Sequence, residues 1–229
     1  MNRPLLVAIA GGSGAGKTWL SHHIAEAFPD RVTAVSLDDF YQDRSRLAPS
    51  ARQRINYDHP RAIEWPLLRT FLENYRNGRK PMLPKYDFKA HCRTNNAMTC
   101  EVNPILVVEG LWVLSRRDIR NAFDVTIYVD CPEQLRLERR VTRDVAERGR
   151  SASAVREQFR RSVAPMHRLY VESQRRWANV VLECPISAPD VDFVIQRLRA
   201  AVLGGDAPRN LLLSPRIQMR AAMEGRLVA

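Results

Sequence analysis

The eight residues Gly11-Gly12-Ser13-Gly14-Ala15-Gly16-Lys17-Thr18 constrain this chain more than any other stretch. They match the spacing G-x-x-x-x-G-K-[ST], whose glycines let backbone N–H groups turn inward around phosphate oxygens. The motif requires a buried strand before it and a helix after it. Leu5 to Ala10 is short, wholly apolar and stops at Gly11, while Leu20, Ile24 and Phe28 recur at helical spacing before Pro29. A helix running from Thr18 to about Phe28 aims its N-terminal dipole at the same anion. Lys17 is then placed to reach the β- and γ-phosphates, and Thr18 to offer its hydroxyl to Mg²⁺. An inconsequential glycine turn has no reason to carry strand and helix in register on either side.

Val32 to Leu37 alternates and completes a strand–helix–strand unit, the parallel crossover of an α/β sheet. Ile105 to Val108, Val125 to Val129 and Val180 to Leu182 read as further strands. Helical faces run from Arg61 to Asn77, from Pro132 to a break at Gly149, from Ser151 to about Arg176, and from Asp190 to Val202. The polar stretch from Gln42 to Arg61 reads as irregular. Pro81 to Phe88 and Ala97 to Val102 are short and proline-punctuated, as edge strands are. The expectation is an α/β fold of the P-loop NTPase type. It has a parallel five-stranded sheet flanked by helices, a small inserted β-hairpin lobe near residues 79–103 and a helical lid near 140–158. One domain is expected over 1–204, followed by a tail of unassigned role over 205–229. Within the tail, Ile217, Ala221 and Leu227 against Arg216, Arg220 and Glu224 suggest one amphipathic helix over 217–228.

Two strand ends carry carboxylates. Glu109 follows the strand ending at Val108, where an acidic residue at the carboxyl edge of the sheet can hold Mg²⁺. Asp38 and Asp39 follow the strand ending at Leu37. One of them can accept a hydroxyl proton near the phosphates, and Asp is equally common as a helix cap or turn residue. Spacing leaves the choice between the two open.

Thirty-six basic against 25 acidic residues give a net charge of +11, which favours anionic partners. Placement narrows the field. Nine arginines lie between Arg136 and Arg161, interleaved with acids. A solvated helix laced with i,i+4 pairs is the ordinary reading, expected for Arg136, Arg156 and Arg161. Arg143, Arg148 and Arg150 surround Gly149, where a lid can hinge and neutralise a transferring phosphoryl group. No basic arm or RNA-binding motif stands apart, so no nucleic-acid partner is expected. The longest apolar runs are too short to cross a bilayer, so neither a membrane partner nor an export signal is expected. Cys92, Cys100, Cys131 and Cys184 lie far apart, in neither a zinc nor a disulfide pattern, which fits a reducing cytoplasm.

Further blocks carry a family resemblance. Ser36-Leu-Asp-Asp-Phe-Tyr41, Asn56-Tyr-Asp-His-Pro60, Tyr86-Asp-Phe-Lys-Ala-His-Cys-Arg93, Val108-Glu-Gly110, the arginine-rich run Arg139 to Arg150 and Pro165-Met-His167 occur in this order. Together with the phosphate loop they resemble the signature blocks of uridine (uridine–cytidine) kinases, within the wider phosphoribulokinase and uridine kinase group. The match covers roughly residues 5 to 183. The resemblance implies transfer of the γ-phosphoryl of ATP or GTP, with Mg²⁺, to the 5′-hydroxyl of uridine or cytidine. It implies Asp38 as the acceptor of the hydroxyl proton and Tyr41 as a wall of the same pocket. It assigns Asp58 to the ribose hydroxyls with Arg140 and Arg150 nearby, and Gln158 to another sugar contact. Tyr86, Phe88 and His91 would pack against and hydrogen-bond the pyrimidine, and Arg143 and Arg148 would close on the triphosphate. A homotetramer is what the family suggests.

Without the resemblance, Tyr86, Phe88 and His91 read as hairpin aromatics packed on the domain. The sequence also departs from the family pattern. Arg61 stands where the family usually carries Asp, which a salt bridge to Glu64 would explain. Cys92 replaces a common Ser, and the loop continues Gly-Ala-Gly-Lys-Thr-Trp. The first alternative is a kinase of the same fold acting on another hydroxyl acceptor, such as a sugar phosphate, pantothenate or another ribonucleoside. A nucleotide-dependent nucleic-acid-binding protein is the second.

Overall fold

The computed structural model describes residues 3–94, 96–203 and 217–219. The chain opens with β1 (Leu5–Gly11), whose apolar run is buried on both faces of the sheet, and α1 (Lys17–Ala27), which starts at left-handed Gly16. β2 (Val32–Ser36) ends where the Ser36 hydroxyl caps a 3₁₀ turn over Leu37–Phe40. A short α2 (Pro49–Gln53) lies inside the stretch expected to be irregular. α3 (Trp65–Arg76) begins four residues later than the periodicity suggested, because Pro60–Ala62 forms its own 3₁₀ turn first.

Four two-residue strands follow: β3 (Met82–Leu83), β4 (Tyr86–Asp87), β5 (Cys92–Arg93) and β6 (Met98–Thr99). They pair as two antiparallel ribbons, β3 with β6 and β4 with β5. β7 (Ile105–Gly110), a four-residue α4 (Arg117–Arg120) and β8 (Val125–Asp130) come next. α4 buries only Ile119 and is too short to show a period in sequence. α5 (Glu133–Arg148) stops at Gly149, which is left-handed at φ 63°, and α6 (Ala152–Gln158) restarts under a Ser151 cap. The chain then winds through π turns and α7 (Ala164–Met166) to Trp177. β9 (Val180–Glu183) and α8 (Ala188–Leu203) complete the layers.

The strand order β9-β8-β1-β7-β2 is parallel throughout, the expected five-stranded sheet. A sixth strand, β10 (Ile217–Met219), adds to it beside β9, with Ile217 opposite Val180. This corrects the helix expected over 217–228: these three residues pair with the otherwise open edge of β9, which offers unpaired backbone groups. Residues 220–228 of that segment lie outside the described residues. Strand alternation divides the core in two. Leu6, Ala8, Leu106 and Val108 face Leu68, Phe71 and Tyr75 of α3, together with Trp112. Val7, Ile9, Val107 and Ile127 face Leu20 and Ile24 of α1 and Val194 and Leu198 of α8. Each fully buried Leu, Ile, Val or Phe among them contributes roughly 1.5–3 kcal/mol, so the sheet edge above is built on a stiff base.

Candidate active site

β1 lies between β7 and β8, so the loop after Gly11 emerges where the strand order reverses, beside Glu109 and above Asp130. Open α/β sheets bind ligands at this place. The loop needs glycine at Gly14, which sits at φ 80° and would drive a Cβ into the Arg136 carbonyl oxygen. Lys17 is buried, and its ammonium donates to the Gly12 carbonyl at 3.0 Å. Burial lowers its proton affinity, while Glu109 and Asp38 oppose that pull. The Thr18 hydroxyl donates to Glu109 Oε1 at 3.1 Å. These are hard oxygen donors at the mouth of a phosphate loop, and they fit Mg²⁺ shared with phosphate and water. Among the described residues no group of three or more His, Cys, Asp or Glu side chains forms a closed metal cage.

The structure separates the two aspartates that sequence spacing left open. Asp39 is buried, accepts the Tyr86 amide at 3.3 Å and lies 3.8 Å from Lys85, so it fastens the β4–β5 ribbon to the turn. Asp38 is half-buried and points into the field of Glu109, Lys17 and Arg148. Burial, then the neighbouring Glu109 charge, pushes its carboxyl up to about 6. Gly110 makes the approach possible, since a Cβ there would overlap Leu37, the first residue of the Asp38 turn.

The residues that the resemblance assigns to the acceptor come together unevenly. Tyr41 is buried and donates to the Tyr57 carbonyl at 3.1 Å, with its ring 5.1 Å from that of Tyr86. Tyr86 is itself a core residue, whereas Phe88 is 45% exposed. His91 sits at φ 52° and stacks on Tyr57 at 4.7 Å, so Tyr57 is a ring the sequence reading missed. Asp58 Oδ2 accepts from the Ser162 hydroxyl at 2.9 Å. The three hairpin residues therefore form one packed face, one open face and one stacked imidazole, rather than a single platform.

The lid arginines converge. Arg140 donates to the Ser13 hydroxyl at 2.8 Å and to Gln158 at 3.2 Å, tying the lid to the phosphate loop. Arg150 donates to the same Gln158 oxygen at 2.7 Å. Arg143 pairs with Asp144 at 2.8 Å, and the Arg148 guanidinium lies 5.4 Å from the Phe88 ring centre. Asp144 was read only as one of the acids interleaved among the arginines, although its i−4 and i+4 neighbours, Arg140 and Arg148, already share its helix face.

Two charge assignments are corrected. Arg136, expected on a solvated face, is 2% exposed, lies against Gly12 of the loop and packs 5.7 Å from the Phe159 ring centre. Its aliphatic stem and the open side of Gly12 make that burial possible. Glu64 pairs with Arg93 at 2.7 Å instead of with Arg61, which stays exposed. The cysteines lie far apart in the chain, but two of them are brought together in space. Cys131 and Cys184 follow the paired residues Asp130 and Glu183, and both approach Arg139, at 4.0 and 3.8 Å.

The loop, the strand-end carboxylates and the sheet order together define a phosphate-loop phosphotransferase. The model of the phosphoribulokinase / uridine kinase family matches residues 6–191. A uridine kinase of Lactobacillus helveticus (strain DPC 4571) is 40% identical over 185 residues, covering 80% of this chain and 87% of that protein. A uridine kinase of Halobacterium salinarum (strain ATCC 700922 / JCM 11081 / NRC-1) is 34% identical over 194 residues, covering 85% and 86%. The chain belongs to the phosphoribulokinase / uridine kinase family, and it is a kinase. The fold is shared with a putative fructose transport system kinase from Silicibacter sp. TM1040, at TM-score 0.64 and 20% identity over 76% of this chain and 86% of that one. It is shared as well with phosphoribulokinase from Rhodobacter spheroides, at TM-score 0.60 and 16% identity over 82% and 74%.

Proposed function

We propose that this kinase transfers the γ-phosphoryl group of ATP or GTP to the 5′-hydroxyl of uridine or cytidine, giving UMP or CMP. The observation that carries the reading is Asp38: a half-buried carboxylate beside Glu109 and Lys17, with its proton affinity raised to about 6. Such a group is ionised at neutral pH and ready to take a hydroxyl proton. The relatives designated uridine kinases support a nucleoside as the acceptor.

In this mechanism Lys17 and the loop amides of Gly11 to Gly16 hold the triphosphate. Thr18 and Glu109 would hold Mg²⁺, which when bound neutralises charge on the phosphate oxygens. Asp58, Arg140, Arg150 and Gln158 hold the sugar, and Tyr41, Tyr86, Phe88 and His91 border the base. Asp38 takes the 5′-hydroxyl proton as that oxygen bonds to the γ-phosphorus and the bridging β–γ oxygen departs with ADP. Arg143 and Arg148 neutralise charge on the transferring group while the lid excludes water.

The exposed Arg61 favours one second reading, an acceptor that is already anionic. A coupled ADP-release assay with Mg·ATP separates the two, using uridine, cytidine, adenosine, ribulose 5-phosphate and pantothenate. Release stimulated by uridine or cytidine alone is the expected result. Turnover with ribulose 5-phosphate alone would overturn the nucleoside assignment and leave the phosphate-loop chemistry standing.

A further inference from the structure

Asp144 is the most heavily partnered carboxylate in the lid. Its side chain is 0% exposed, and four guanidiniums surround it: Arg143 at 2.8 Å, Arg150 at 3.5 Å, Arg148 at 3.6 Å and Arg140 at 3.7 Å. Its own carbonyl accepts the amides of Gly149 and Arg150, which fixes it at the α5 stop. Burial alone would raise its proton affinity, but the Arg143 hydrogen bond and the arginine charges outweigh burial and keep it ionised. Four cations held by one anion leave three positive charges uncompensated within this cluster. Guanidiniums that close together repel one another unless an anion sits among them.

The four arginines are not held alike. Arg140 has second anchors on Ser13 and Gln158, and Arg150 has one on Gln158. Arg143 and Arg148 have Asp144 as their carboxylate partner; exposure sets only Arg140 apart, at 7% against 34%, 38% and 35% for Arg143, Arg148 and Arg150, so it is the Gln158 anchor that distinguishes Arg150. One pair is fixed and the other can exchange partners.

We propose that Asp144 is a positioning residue of the lid. It gathers the four arginines beside the phosphate loop, and it yields Arg143 and Arg148 to the phosphates when nucleotide binds. The proposal rests on the phosphoryl-transfer reading above and adds a role for a residue that touches neither substrate. Releasing Arg143 and Arg148 leaves Asp144 ion-paired with Arg140 and Arg150, and each freed guanidinium gains a charge-assisted pair with phosphate. The carboxylate therefore competes mildly with nucleotide and aligns the lid when it closes.

The test is a double-mutant cycle on the full chain with Asp144→Asn, Arg143→Gln and both together. Turnover per folded site is measured with the acceptor that the wild-type chain uses, and affinity with a fluorescent ATP analogue in the absence of acceptor. Each single variant is expected to lose about 10–100-fold in kcat, and the double variant no more than the worse single one, because residues acting as a unit are not additive. Asp144→Asn is expected to bind the analogue at least as tightly as wild type, which a purely structural role would not produce. Losses that multiply, wild-type kcat in folded Asp144→Asn, or a chain that folds only with Asp144 in place would each overturn the proposal. Failure of the nucleoside reading would show separately, as a wild-type chain that ignores uridine and cytidine while still binding the ATP analogue.

Discussion

Burial raises the proton affinity of both adjacent aspartates, but Asp39 accepts the Tyr86 amide while Asp38 lies in the field of Glu109 and Lys17, so their substitutions are expected to change stability in opposite directions. Asp38 has a folded-state affinity raised to about 6 from an ordinary 3.8. Its contribution to stability is full below pH 3.8 and is lost as pH rises through 6, so at neutral pH the ionised carboxylate costs the fold. Asp38→Asn is expected to raise stability at pH 7 by about 1–2 kcal/mol, after allowance for its partial exposure, and to raise the melting midpoint. Asp39→Ala is expected to lower stability by about 1–3 kcal/mol, because it strands the buried Tyr86 amide. Thermal denaturation of the two variants side by side checks both signs. The same Asp38 value predicts that kcat/KM rises with pH, is half-maximal near 6 and levels off about one unit above it, as the free enzyme's base ionises. A profile flat from pH 5 to 8 would contradict that. Spacing could not separate these two residues and only the resemblance chose Asp38, because the structural separation depends on Tyr86, 47 positions away, reaching back to Asp39.

Among the elements, the first strand, loop and helix were fully legible because their signals are local. The parallel strands were legible as apolar runs, but their order was not, and order is what sets Glu109 beside the phosphate loop. Contacts created by register stayed hidden for the same reason: Cys131 and Cys184 are distant in the chain and adjacent at the ends of β8 and β9. The ribbon carrying Phe88 and the lid carrying Arg148 meet by a cation–π contact, which no spacing within either element announces. Phe88→Ala is therefore expected to raise the acceptor KM about 3- to 10-fold while leaving affinity for the ATP analogue unchanged. Steady-state kinetics in both substrates checks this. An unchanged acceptor KM would place Phe88 outside the acceptor pocket.

For the whole molecule, the placement of six cations explains part of the net charge of +11. Lys17, Arg136, Arg140, Arg143, Arg148 and Arg150 all gather around the phosphate loop and the lid above it. A cleft in which cations outnumber the carboxylates Asp38, Asp58, Glu109 and Asp144 raises the local concentration of an anionic nucleotide. The sheet makes this arrangement rigid, since β1 is flanked on both sides by parallel strands whose carboxyl ends face the same cleft. Composition announced the excess of cations, and only the fold explains why the nine arginines between Arg136 and Arg161 divide into buried, clustered and solvated ones. The central claim is that this charged cleft serves phosphoryl transfer through Asp38. Its most direct measurement is turnover of folded Asp38→Asn with Mg·ATP and uridine, alongside its affinity for the ATP analogue. The account predicts turnover lower by roughly 10²–10⁴ with affinity within about threefold of wild type. Wild-type turnover in that variant would contradict it.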